Sequence, residues 1–172
     1  MKYIKEFKIF EHTQNNIHDL IDCIGKDDVN TLNKFLNEGE NDYDFILIKS
    51  IKKGSINILK LLVDKKLVDL NLLKRFLGYS AEHQSWDIFD YIISKIKICD
   101  DFQNIFTWIG SSSKIDNNQK KEILNKLQTY VDSGKCKLSQ IVYKHGGGRI
   151  SLDDIIEKYG SIKDYIIDTY LT

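Results

Sequence analysis

Three stretches of this chain repeat one another, and that self-similarity limits the fold more than any other property of the sequence. IGKDDVNTLNKFL (residues 24–36), IKKGSINILKLLV (51–63) and AEHQSWDIFDYII (81–93) align without internal gaps at spacings of 27 and 30 residues. Ile24, Ile51 and Ala81 share one column; Asp28, Ser55 and Ser85 share another, followed by Val29, Ile56 and Trp86. Leu32 then aligns with Leu59 and Phe89, and Phe35 with Leu62 and Ile92. Each copy has apolar residues at helical spacing on both sides of a polar break. Asp27 and Asp28 break the first helix and can cap a second one, and Gly39 is placed to close it. A period in this range describes stacked helical hairpins, because one hairpin cannot bury its apolar faces alone. The best-formed copy is residues 46–71, ILIKSIKKGSINILKLLVDKKLVDLN.

Beyond residue 96 the period stretches. Phe102, Ile105, Phe106 and Ile109 make one apolar helical face, and Ile123, Leu124, Leu127 and Val131 make the outer helix of a fourth copy. A polar segment, residues 110–118, is inserted between them. Insertions in a solenoid collect on one face, often the binding face, so Ser111, Ser112, Ser113 and Lys114 are candidates for partner contact. Trp108 stands beside them, and tryptophan is favoured at interface hot spots. Nearer the C-terminus, Leu138, Ile141 and Val142 are expected to start a short helix, and the glycines of KHGGGR (144–149) to force a loop. Ser151 with Asp154 and Ser161 with Asp164 are spaced to open two capped helices. At the other end Tyr3, Ile4, Phe7 and Phe10 have the spacing of a short helix.

The turn Lys53, Gly54, Ser55, the outer-helix core Ile56, Leu59, Leu61, Leu62 and the loop Val68, Asp69, Leu70, Asn71 resemble the ankyrin repeat. The resemblance covers roughly residues 17–96 and departs from the family by lacking the Thr-Pro-Leu-His start of the inner helix in every copy. It implies an all-α, ankyrin-like helical-repeat solenoid of three to four helix pairs (residues 17–134), with an N-terminal cap helix (1–16) and a C-terminal helical cap (135–172) in a single domain. It also implies recognition of another protein without catalysis. Separately, Ile9, Phe10 and Glu11 resemble the apolar-x-Glu cleavage site that ends the short leaders of some tailed-bacteriophage head proteins.

Charge and composition exclude several classes. The 172 residues carry 25 Lys+Arg against 25 Asp+Glu, so no global field draws the protein to nucleic acid or anionic lipid. Lys or Asp interrupts every apolar stretch before the roughly 18 residues a membrane span requires. Cys23, Cys99 and Cys136 stand far apart without CxxC spacing, which fits reduced thiols in a cytoplasmic protein; Cys23, inside an apolar helical pattern, reads as a buried one. There is no Pro, a single Ala, and two Arg beside abundant Ile, Lys, Asn and Asp. That usage resembles an AT-rich genome and, with the degenerate repeats and the leader-like stretch, points to a virus-encoded protein that engages a host factor in the host-cell cytoplasm.

Two further clusters are candidate sites. Glu38, Glu40, Asp42 and Asp44 come without an intervening base and could contact a basic partner. Lys144, His145, Gly146, Gly147, Gly148 and Arg149 could hold an anion: glycine amides can turn inward, Arg149 offers a fork, and Ser151 begins a helix. The same HGGG resembles the oxyanion loop of some esterases, but no Gly-x-Ser-x-Gly elbow accompanies it. His12, His18, His83 and His145 lack HxxxH or HExxH spacing, so no metal is expected, nor any cofactor or catalytic residue. The expected function is a non-catalytic protein-protein interaction module. The alternatives are a nucleotide or anion binder or enzyme using residues 144–149, and a packaged virion protein with a short leader.

Overall fold

The structure is a computed structural model that describes residues 17–39, 42–96, 102–143 and 148–171. The helix and leader expected within the first sixteen residues, and Cys99, lie outside the described residues. The chain divides into two compact units, Met1–Asp69 and Leu70–Thr172, and the described part of each is mostly helical. The first unit holds a helix through residues 17–25 (α1), then α2 (Val29–Asn37), α3 (Tyr43–Lys53) and α4 (Ile56–Asp64). The second holds α5 (Leu70–Arg75), α6 (Leu77–Glu82), α7 (Trp86–Lys95), α8 (Gln103–Ser111), α9 (Asn117–Asp132), strands β1 (Ile141–Tyr143) and β2 (Arg149–Ser151), α10 (Leu152–Tyr159) and α11 (Ile162–Tyr170).

The three aligned copies turn in the same way, atom for atom in the backbone. Each first helix ends through one residue of positive φ: Asp27 at 54°, Gly54 at 72° and Gln84 at 54°. The amide of that residue donates to the carbonyl of Ile24, Ile51 or Ala81, at 3.0, 3.2 and 2.9 Å. The next amide, of Asp28, Ser55 or Ser85, reaches the carbonyl of Cys23, Ser50 or Ser80 at 2.9 Å in each case. This pair of bonds is the Schellman ending, which glycine enters without strain and other residues enter at a cost.

A second column, one residue before the apolar one, explains how the helices come close. Cys23, Ser50 and Ser80 are all buried, and each donates to a carbonyl one turn back in its own helix. Cys23 Sγ lies 3.1 Å from the Leu20 oxygen, Ser50 Oγ 2.7 Å from that of Ile46, and Ser80 Oγ 2.8 Å from that of Leu77. A small side chain leaves room for the packed helix, and the local bond keeps its polar hydrogen satisfied in the core.

In the first unit the two hairpins are tied through their turns. Asp28 caps α2 by accepting from the Asn30 and Thr31 amides at 3.0 and 3.1 Å. Asp27 instead caps α4, where its carboxylate accepts from the Asn57 amide (3.1 Å), Asn57 Nδ2 (2.8 Å) and the Ile58 amide (2.9 Å). Ser55, at the N-cap of α4, makes no cap bond of its own and donates to the Ile24 carbonyl. Leu20, Ile24, Leu32, Ile46, Leu47, Ile51, Ile58, Leu59 and Leu62 fill the core beneath.

The core of the second unit is aromatic. Phe89 meets Tyr130 edge-on with ring centres 4.9 Å apart and Phe102 at 6.2 Å, and Phe102 meets Phe106 at 5.8 Å. The Tyr130 hydroxyl donates to Asp90 Oδ1 at 2.8 Å; burial first, then that bond, raises its pKa well above the ordinary phenol value. Helix α8 is the hub of this unit, packing on α6, α9, α11 and β1.

The C-terminal part corrects one expectation. Ile141 and Val142 do not start a helix: with Tyr143 they form β1, antiparallel to β2, with Val142 opposite Ile150 and Tyr143 opposite Arg149. β-branched and aromatic residues suit a pleated strand, and a glycine run cannot continue a helix but can return the chain. The two capped helices are present. Ser151 Oγ accepts from the Asp154 amide at 3.0 Å, and Ser161 Oγ from the Asp164 amide at 3.1 Å while donating to its carboxylate at 2.6 Å. Among the described residues no helix is long and apolar enough to cross a membrane.

Candidate functional site

The end of α8 carries the largest side chain that the second unit leaves open. Trp108 is 50 % exposed, yet it is held at both edges. Its Nε1 donates to Glu82 Oε2 on α6 at 3.1 Å, and its ring lies over Gly78, where a Cβ would sit 3.6 Å from the nearest ring carbon. An indole fixed in this way offers one face to solvent without having to be ordered by a partner.

After Trp108 the helix unwinds through serines. Ser111 Oγ donates to the Trp108 carbonyl at 3.2 Å, Ser112 is extended, and its Oγ accepts from the Lys114 amide at 3.2 Å. Asp116 then caps α9 by accepting from the Asn118 and Gln119 amides at 2.8 and 3.0 Å. The segment separates two open recesses. One, of about 270 Å³, is lined by Glu82, Trp108, Ser111, Ser112, Ser113 and Lys114. The other, of about 300 Å³, is lined by Gly110, the same three serines, Lys120 and Tyr170.

Each recess has a buried charge in its wall. Lys120 is 8 % exposed and its Nζ donates to the Gly110 carbonyl at 3.0 Å, a favourable place for an ammonium because the C-terminal end of a helix carries partial negative charge. Glu82 is 5 % exposed. Lys26 pairs with Asp22 and Lys163 with Asp164, whereas Glu82 has the Trp108 donor and no cation in ion-pair range among the described residues.

The structure thus places the candidates Trp108, Ser111, Ser112, Ser113 and Lys114 around one recess. The described acidic candidates lie in the first unit, at the ends of α2 and α3. Asp42 caps α3 by accepting from the Phe45 amide at 3.0 Å, Asp44 sits in the first turn of α3, and Glu38 ends α2; Glu40 lies outside the described residues. Carboxylates at a helix start offset its partial positive charge.

Of the anion candidates, Lys144, His145, Gly146 and Gly147 lie outside the described residues. Gly148 and Arg149 are exposed, and Arg149 pairs with Tyr143 in the ribbon. Helix α10 already holds Asp153 and Asp154 in its first turn, so its N-terminus faces carboxylates of its own. Among the described residues no three His, Cys, Asp or Glu side chains gather as a metal site.

Sequence reading missed Glu82 and Lys120. Glu82 aligns with Gly25 and Lys52, both exposed, so the repeat register places it on the surface; the indole from α8 is what covers it. Lys120 sits in the first turn of a strongly polar helix, NNQKKEILNKLQTYVD, and nothing in that string distinguishes it from Lys121.

Comparison with known protein families, with curated proteins and with solved structures finds no match to this chain. The described residues are mostly helical and present an anchored indole beside a serine-rimmed recess.

Proposed function

We propose that the protein is a non-catalytic interaction module, an ankyrin-like helical-repeat scaffold that binds another protein through the Trp108 and Ser111–Lys114 surface, and that it is virus-encoded and acts on a host factor. The observation that carries this reading is Trp108, half exposed yet fixed by Glu82 and Gly78. Interface energy concentrates in a few large, pre-ordered side chains, tryptophan foremost, surrounded by polar groups that exclude water. Ser111, Ser112 and Ser113 form such a rim.

The experiment compares capture from host-cell extract by wild type, Trp108→Ala and Ser112→Arg, with melting temperatures checked in parallel. The expected result is a protein retained by wild type and lost by both variants at unchanged fold. A partner held equally by all three, or turnover of a nucleotide by purified protein with no partner retained, overturns the reading.

A further inference from the structure

The recess beside Trp108 has a chemistry that narrows what the partner presents. Glu82 is 5 % exposed, accepts from Trp108 Nε1, and has no cation in ion-pair range among the described residues. Most of the residue is covered, so its carboxylate is only partly hydrated and an opposite charge beside it is favourable. It lines an open recess of about 270 Å³ together with Trp108, which is half exposed. A positive charge brought from outside would meet both.

We propose that this recess receives one arginine side chain of a protein partner, the guanidinium donating to the Glu82 carboxylate and stacking on Trp108. Arginine suits the pair better than lysine: its planar fork matches a carboxylate, it stacks on aromatic faces, and it is more weakly hydrated than an ammonium. The hydroxyls of Ser111, Ser112 and Ser113 supply acceptors for its remaining N–H groups. Lys114 lines the same recess outside ion-pair range of Glu82, and acts as the competitor that the arriving cation must displace. This inference rests on the partner-binding reading of Trp108 and adds the partner's chemistry.

The test uses Trp86→Phe protein, which leaves Trp108 as the only indole, titrated with N-acetyl-arginine amide, its neutral isostere N-acetyl-citrulline amide, and N-acetyl-lysine amide. For so small a ligand the expected affinity is on the order of millimolar. Trp108 fluorescence should respond saturably to the arginine amide, and at least tenfold more weakly to citrulline. Glu82→Gln keeps an acceptor for Trp108 Nε1 and should weaken the arginine response at least tenfold, whereas Lys114→Gln should strengthen it several-fold. A citrulline response equal to that of arginine, an unchanged response in Glu82→Gln, or no saturable arginine response below about 100 mM overturns the proposal; if Glu82→Gln fails to fold, the citrulline and Lys114→Gln arms decide. The two readings fail separately. A captured partner lost by Trp108→Ala but indifferent to Glu82→Gln removes the arginine receptor alone, while an arginine response with no Trp108-dependent partner removes the interaction module.

Discussion

The hairpin turns at residues 27–28, 54–55 and 84–85 and the serine segment at 111–116 both join one helix to the next, and they do it in opposite ways. Each hairpin turn returns its amides to the helix it leaves, through the same two backbone bonds, and the polar side chain beneath is satisfied within its own turn. The serine segment keeps only the first kind of bond, from the Ser112 amide to the Ile109 carbonyl at 3.3 Å. It leaves α8 with Ser112 extended, keeps Ser111, Ser113 and Lys114 exposed, and borders recesses walled by Glu82 and Lys120. The regular turns are where the fold is specified, and the irregular one is where polar groups remain able to meet something else.

The comparison breaks most visibly at Gly110, where the serine segment leaves the core. A Cβ there would lie 2.6 Å from Ile166 Cγ2 and 3.2 Å from a Tyr170 ring carbon. Ile166 is fully buried and β-branched, so it has little rotamer freedom with which to yield. Gly110→Val should therefore separate α8 from α11 and cost about 3 kcal/mol, the upper end for overpacking a core. Urea denaturation measures it. A variant as stable as wild type would mean that α11 does not seat on α8 as described.

The next effect lies within the regular turns. Asp27→Ala removes three bonds at the start of α4 and leaves an alanine at positive φ, so the expected loss is about 2 kcal/mol. Asp27→Gly loses the same bonds but relieves the backbone and should cost about 1 kcal/mol less. The other two turns make a mirror pair. Gly54→Ala should destabilise by about 1 kcal/mol, while Gln84→Gly, at φ 54°, should stabilise by about 0.5 kcal/mol. Thermal melts of the pair test whether the turns are equivalent; both substitutions moving stability in the same direction would show that they are not.

What the sequence made legible follows the same division. Ile24, Ile51 and Ala81, with the residues that align after them, gave the hairpins because apolar spacing and cap residues are local signals. The column Cys23, Ser50, Ser80 was equally readable, one residue earlier, as a small side chain with a donor in all three copies. Ser111, Ser112, Ser113, Lys114 and Trp108 stood out because they interrupt the pattern. Glu82 and Lys120 did not, since their burial is created by Trp108 and by the end of α8, residues 26 and 10 positions away along the chain. Ile141 and Val142 were misread because a three-residue apolar run has no period long enough to separate strand from helix; only pairing with Arg149–Ser151 decides it.

The smallest expected effect concerns Cys23, the one thiol in a column otherwise filled by serine. Burial, with Asp28, Asp22 and Asp19 nearby, pushes its pKa from 9.0 to about 11. In the unfolded chain the thiol ionises near 9, whereas in the folded protein it keeps its proton until about 11. The folded state therefore binds the extra proton, and its contribution to stability is complete below pH 9 and lost as pH rises through about 11. Serine does not titrate in this range and keeps the donor, so Cys23→Ser should match wild type within about 1 kcal/mol at pH 7 and should lack this part of the alkaline decline. Denaturation midpoints followed from pH 8 to pH 11 for the two proteins read the difference directly. Parallel curves would mean that Cys23 is not held as a buried thiol, and that its place in the column with Ser50 and Ser80 is one of alignment only.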